Sequence, residues 1–148
     1  MLEAVEIGDP TDVKNELLLK RVMRGRTPRT REFIVLRDGV EAGLLIYEDW
    51  GRPEGFIYEI FVLSDFRKSG IGTWLLSYAE QIASRLGRTC IRLTARSLDQ
   101  DELSDENLTS WYERKGYVES AIERNILEKR LSGTRLATVQ RSDARTLR

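Results

Sequence analysis

Phe56-Ile57-Tyr58-Glu59-Ile60-Phe61-Val62-Leu63, then Ser64-Asp65-Phe66 and Arg67-Lys68-Ser69-Gly70-Ile71-Gly72-Thr73, is the stretch on which the reading of this chain turns. Its first eight residues are apolar on both alternating faces except at Glu59, the pattern of a strand buried on both sides and so placed in the middle of a sheet. Ile71, Trp74, Leu75, Tyr78, Ala79, Ile82, Ala83 and Leu86 then recur at helical spacing, and Gly87 follows where a left-handed C-terminal residue is favoured. Cys90 to Ala95 reads as the next strand, and a right-handed crossover through the helix makes it parallel to the first.

The turn between strand and helix carries two glycines, flanked by Arg67 and Lys68. A helix start offers unpaired backbone N–H groups and the positive end of the helix dipole, which together bind phosphate, and glycine lets a diphosphate come close. No Lys-Ser/Thr pair follows the second glycine, so this is not a Walker loop. Leu75 stands where the dinucleotide fingerprint needs its third glycine.

Outward from this unit, Glu32 to Arg37 and Val40 to Trp50 are apolar-rich runs joined by Asp38-Gly39, the signal of a tight β-hairpin. Leu2 to Ile7 alternates as a first strand would, and Asp9-Pro10-Thr11 supplies capping chemistry for a helix through about Met23 with Val13, Leu17, Leu18 and Val22 as its stripe. Lys20 to Arg31 holds six basic side chains and no acid, with Gly25 and Pro28 interrupting, and reads as a loop. Ser97 to Glu106 is an acidic loop. A short helix from Glu106 to Lys115 stops at Gly116, and Ala121 to Leu131 reads as a final strand. Residues 132–148, with little periodicity, form a basic, flexible tail beyond a single domain spanning 1–131.

Composition narrows the chemistry. The 148 residues carry 24 basic and 24 acidic side chains and no histidine, which removes imidazole bases, Ser-His and Cys-His nucleophile systems and His-ligated zinc. Cys90 is the one cysteine, too few for a disulfide or a thiolate metal cage and read as inert filling of a buried strand; a reducing, cytoplasmic setting is expected. No apolar run approaches the roughly 18 residues of a membrane helix.

Ile60-Phe61-Val62 through Arg67-Lys68-Ser69-Gly70-Ile71-Gly72-Thr73, followed by Asn107 and then Trp111-Tyr112-Glu113-Arg114-Lys115-Gly116-Tyr117, resembles the GNAT superfamily of acyl-CoA-dependent N-acyltransferases. The likeness covers Phe56 to Tyr117 in the family's order and includes its second signature, Asn107, Tyr112, Gly116 and Tyr117. It implies an α/β (α+β) fold with a mixed, mostly antiparallel, twisted sheet of six or seven strands and flanking helices. It further implies acetyl-CoA as cosubstrate and an amine acceptor. The backbone of Ile60, Phe61 and Val62 would pair with the pantetheine arm beside a bulge that splays two parallel strands. The amides from Lys68 through Ser69, Gly70, Ile71 and Gly72 to Thr73, with Arg67, would hold the diphosphate; Asn107 would contact the arm, and Tyr112 would face the thioester sulfur.

Acetyl transfer to an amine then needs a proton acceptor, since a lysine-like amine with pKa about 10.4 is mostly protonated at neutral pH. Glu59, the lone charge on its strand, is the candidate, with a salt bridge to an arginine of the basic segment as its competing role. Some relatives place an acid on the following strand, where this chain has Arg92-Leu93-Thr94, so a water relay and an acid of the 99–106 loop stay open as alternatives. Tyr112 is the candidate proton donor to the departing sulfur. No metal is expected. The acceptor is expected to be a primary amine of a small molecule, peptide or protein. Rival readings are a non-catalytic acyl-CoA-binding module and an enzyme acting on aminoacyl-tRNA through the basic segment. Nucleic acid is otherwise not favoured, and pairing into a homodimer through the last strand and tail is an expectation from the family.

Overall fold

The computed structural model describes residues 1–95 and 105–131. Seven strands form one sheet: β1 (Leu2–Glu6), β2 (Thr30–Arg37), β3 (Val40–Glu48), β4 (Glu54–Val62), β5 (Cys90–Thr94), β6 (Val118–Glu119) and β7 (Ile126–Arg130). Their order across the sheet is β1-β2-β3-β4-β5-β7-β6, with every pairing antiparallel except β4 with β5. The strand read as central is the fourth of seven, and the crossover helix α2 (Ile71–Arg85) returns the chain in parallel. Asp38 and Gly39 both take positive φ, 51° and 84°, as a two-residue hairpin requires. Helices α1 (Glu16–Gly25) and α3 (Asp105–Arg114) complete the set.

The sheet separates two apolar clusters. One, under α2 and α3, holds Phe33, Leu45, Tyr47, Ile57, Leu75, Ile91, Tyr112 and Tyr117. The other lies under α1 and holds Val13, Leu18, Val22, Ile34, Leu44, Ile46 and Phe61. Tyr117 ties the C-terminal elements to α2, donating its hydroxyl to Glu80 (2.9 Å) while Lys129 reaches the same carboxylate at 3.2 Å.

Three boundaries differ from the sequence reading. Asp9 caps only a 3-10 turn at Pro10–Asp12; α1 starts at Glu16 with Asn15 as its cap. Glu41 of β3 accepts the backbone N–H groups of Lys14 and Asn15 at 2.7–3.2 Å, so these donors are taken before a helix can begin there. The basic stretch is a loop only over residues 26–29, because α1 continues to Gly25 and β2 starts at Thr30. The last expected strand is a hairpin instead: Ser120 Oγ accepts from the N–H groups of Ile122 and Glu123, and Asn125 takes φ 64°, so 121–125 turns and β7 begins at Ile126. The tail 132–148 and most of the acidic loop lie outside the described residues.

Gly43 faces the end of β4, and a Cβ there would sit 2.7 Å from the Phe61 carbonyl oxygen. Backbone in a ladder yields poorly, so Gly43→Ala should destabilise by about 1–3 kcal/mol in urea unfolding. An unchanged midpoint would mean that β3 and β4 separate freely at this end.

Candidate active site

The β3–β4 register slips by one residue: Ile46 faces Glu59, whereas Tyr47 faces Ile57, leaving Tyr58 as the extra residue of a β-bulge. The slip reverses the strand's faces. Ile57 points into the α2-side cluster, while Glu59 and Phe61 point toward α1. Pairing of β4 with β5 also stops here. The parallel ladder runs from Glu54–Cys90 to Ile57–Leu93, although β4 stays paired with β3 as far as Val62. Beyond Ile57, the β5-side edge of β4 therefore has no ladder partner among the described residues.

This end of β4 leads, through a short 3-10 turn at Ser64–Phe66, to the start of α2. Lys68 (φ 62°) and Gly70 (φ 87°) are left-handed with Ser69 between them, an alternation that turns successive N–H groups toward one concavity. Ser69 Oγ bonds the Phe66 carbonyl, and Arg67 Nε donates to the Val62 carbonyl at 2.9 Å, bracing the turn against the end of β4. The helix has no side-chain cap. Its first internal bond runs from Trp74 N–H to Gly70, and the N–H groups of Ile71, Gly72 and Thr73 have no hydrogen-bond acceptor among the described residues. A Cβ on Gly72 would meet nothing nearer than the Trp111 ring at 3.7 Å, and one on Gly70 would meet nothing within 4 Å. Protein packing does not require a glycine at 72; its bare backbone leaves room for an anionic ligand.

The family model for the acetyltransferase (GNAT) domain matches residues 29–119, more than half of the chain. The chain belongs to the GNAT acetyltransferase family. It is thus an acyltransferase, of a family that uses acetyl-CoA. Among solved structures, it is similar to the ribosomal-protein-S18-alanine N-acetyltransferase from Escherichia coli, at 18% identity and TM-score 0.65, covering 89% of this chain and 95% of that one. It is also similar to a GNAT family acetyltransferase from Elizabethkingia anophelis with acetyl-CoA bound, at 14% identity and TM-score 0.61, covering 88% and 98%. At such identities the likeness is one of fold. A search of curated proteins finds no match.

Against the GNAT pattern, the structure brings the end of β4, Ile60–Val62, next to the turn that leads into Lys68–Thr73, with Arg67 Nε bonded to the Val62 carbonyl. Trp111 packs over Gly72, which sets α3, and with it Asn107 and Tyr112, beside the turn. Tyr112 is buried, 4.9 Å from the Trp111 ring and 5.6 Å from that of Tyr117. Burial pushes its phenol well above the ordinary value, so it keeps its proton throughout the neutral range. The rise also carries the phenol further from a thiol's ordinary pKa of about 8.5, which makes it a weaker proton donor to a departing sulfur.

Glu59 makes the salt bridge to an arginine of the basic segment that the sequence reading set against its role as proton acceptor. Arg21 of α1 donates from Nη1 to Glu59 Oε2 at 2.7 Å, both side chains being buried. Leu18, Arg21, Val22 and Gly25 form the inward face of α1, whereas Leu17 is 45% exposed. A charged residue thus holds a core position at i, i+3 spacing, and a search for apolar periodicity passes over it. Gly25 lets the helix sit down on the bulge: its Cβ would be 2.7 Å from Ile46 Cδ1 and 3.0 Å from the Tyr58 ring. The basic segment is also less available than its composition implies, because Arg26 and Arg31 reach Glu32 (3.9 Å) and Glu6 (2.8 Å). Arg92, where some relatives place an acid, is bound to Glu123 and Glu128. Burial pushes the Cys90 thiol up, away from nucleophilic use.

Burial raises the Glu59 carboxyl above its ordinary value of 4.5, outweighing the Arg21 hydrogen bond and charge. Folding then favours the protonated acid, so this contribution to stability is fullest below 4.5 and declines as pH rises through the folded-state value. Arg21→Met should steepen that decline, lowering unfolding free energy by about 3 kcal/mol at pH 8 but by less at pH 5, while Arg21→Met/Glu59→Gln loses the pH dependence. Equal losses at both pH values would show that the carboxylate is not the group left uncompensated.

Proposed function

We propose that the protein transfers the acetyl group of acetyl-CoA to a primary amine of a small molecule, peptide or protein by direct attack within a ternary complex. The observation that carries this reading is a β4 edge without a ladder partner among the described residues, followed by a helix start whose first amides have no acceptor among them and by a glycine at 72 that packing does not require. The residues fit the cosubstrate part by part. Ile60 to Val62 would pair through their backbone with the amides of the pantetheine arm. The Lys68–Thr73 amides would take the diphosphate, with Arg67 bracing the turn, and Asn107 would contact the arm. Acetyl-CoA supplies an activated thioester, which needs neither a protein nucleophile nor a metal.

The remaining steps fall to the protein. Glu59 takes the proton that the amine must lose to attack. The amine nitrogen then bonds to the thioester carbonyl carbon, the C–S bond breaks, and the second proton shed by that nitrogen passes to the departing sulfur to give the free thiol, which Tyr112 stabilises by donating its hydroxyl hydrogen bond. Glu59 faces α1 and Tyr112 packs on the opposite face, so the reading requires the thioester and the amine to meet at the β4 edge between them. A reducing, cytoplasmic compartment suits a chain whose only thiol, Cys90, is left free.

A screen of amines, peptides and proteins with acetyl-CoA, read as free thiol, should find an acceptor class. Release that no added amine stimulates would overturn the reading. Tyr112→Phe should then lower kcat by about a hundredfold with CoA affinity unchanged. Gly72→Ala separates binding from folding. Alanine favours the helix by up to about 1 kcal/mol, so thermal stability should hold or rise, while CoA affinity, measured by calorimetry, falls about tenfold or more. Unchanged CoA affinity in this variant would place the diphosphate elsewhere.

A further inference from the structure

We propose that Arg21 of α1 is a positioning residue for the transfer: it holds the Glu59 carboxyl group through one oxygen at the bulge, leaving the other oxygen to take the acceptor's proton. This deepens the reading of Glu59 as the proton acceptor and rests on it. The contact is a single bond, Nη1 to Oε2, and Glu59 makes no other hydrogen bond among the described residues. The guanidinium carbon lies 3.7 Å from the Phe61 ring centroid, and Nε is buried without a partner among the described residues. A pair serving cohesion alone would use the guanidinium's fork for two parallel bonds and leave no buried N–H unsatisfied. Stacking on Phe61 instead fixes the orientation in which one N–H meets one oxygen.

The surroundings isolate this effect. Arg21 and the exposed Arg24 are the charged groups that act on Glu59, both from α1. Across the ladder β3 presents Ile46, and the strand itself adds Phe61. Gly25, one turn beyond Arg21 on the same helix face, seats α1 against Tyr58 and Ile46 and so fixes the distance from which Arg21 reaches. The bulge and the helix thereby set the geometry and the charge of the same carboxylate.

The test measures pH profiles of kcat/KM for the wild type, Arg21→Met, Arg21→Lys and Glu59→Gln, using the amine that releases most thiol in the screen above. Carbon-13 NMR of the Glu59 carboxyl gives a second readout that needs no acceptor. In Arg21→Met the carboxyl midpoint and the acid limb of the profile should move up together by about one pH unit or more, with kcat falling more than KM rises. Arg21→Lys, which keeps the charge and guards against a variant that fails to fold, should restore most of both. An acid limb that stays put in Arg21→Met, or a carboxyl midpoint that moves without it, makes the pair merely structural and overturns the proposal while Glu59→Gln still abolishes the limb. A limb that survives in Glu59→Gln overturns the proton-acceptor reading, and the proposal with it.

Discussion

One extra residue in β4 governs the rest of this structure. Tyr58 has no opposite number on β3, and a strand that gains a residue on one side must rotate its remaining side chains to the other face. Three consequences follow from that single slip. Glu59 turns from the α2 side to the α1 side, the ladder to β5 ends at Ile57–Leu93, and the freed edge of β4 points toward the turn that opens α2. A regular strand would have kept β4 and β5 paired, filling with hydrogen bonds the space in which an extended ligand can lie.

The corner at α2 uses backbone where many sites use side chains. A chain without histidine, and with one half-buried cysteine, has little side-chain chemistry to commit. It places instead the unsatisfied donors of a helix's first turn at the end of an unsatisfied strand edge. These groups are costly to bury without partners and inexpensive to leave facing a ligand, which explains why Gly72 holds a position where protein packing would tolerate a larger residue, whereas Gly70 is called for by its left-handed backbone. Electrostatic control sits on the other face, where α1 delivers a guanidinium to the Glu59 carboxyl group.

Much of this was legible in the sequence. The two-sided apolar run marked β4 as central, Asp38-Gly39 marked the hairpin, and the glycines between strand and amphipathic helix marked the corner. The resemblance through Asn107, Tyr112, Gly116 and Tyr117 gave the family. What escaped is instructive. A salt bridge from the basic segment to Glu59 was among the expectations, but not that Arg21 makes it from a buried helical position while Leu17, read as part of the apolar stripe, is exposed; no local signal distinguishes a basic side chain bound for the core from one bound for solvent. The start of α1 was misplaced because Glu41, 26 residues from Asn15, captures the competing backbone donors. Both errors come from long-range partners, which periodicity does not record.

The central claim is that the freed β4 edge and the open amides of α2 together receive coenzyme A. A crystal structure of the protein grown with CoA tests it most directly. The account predicts diphosphate oxygens within hydrogen-bonding distance of the Ile71, Gly72 and Thr73 amide nitrogens and the pantetheine arm laid along Ile60 to Val62. CoA bound elsewhere, with this edge and corner covered by neighbouring side chains, would contradict it.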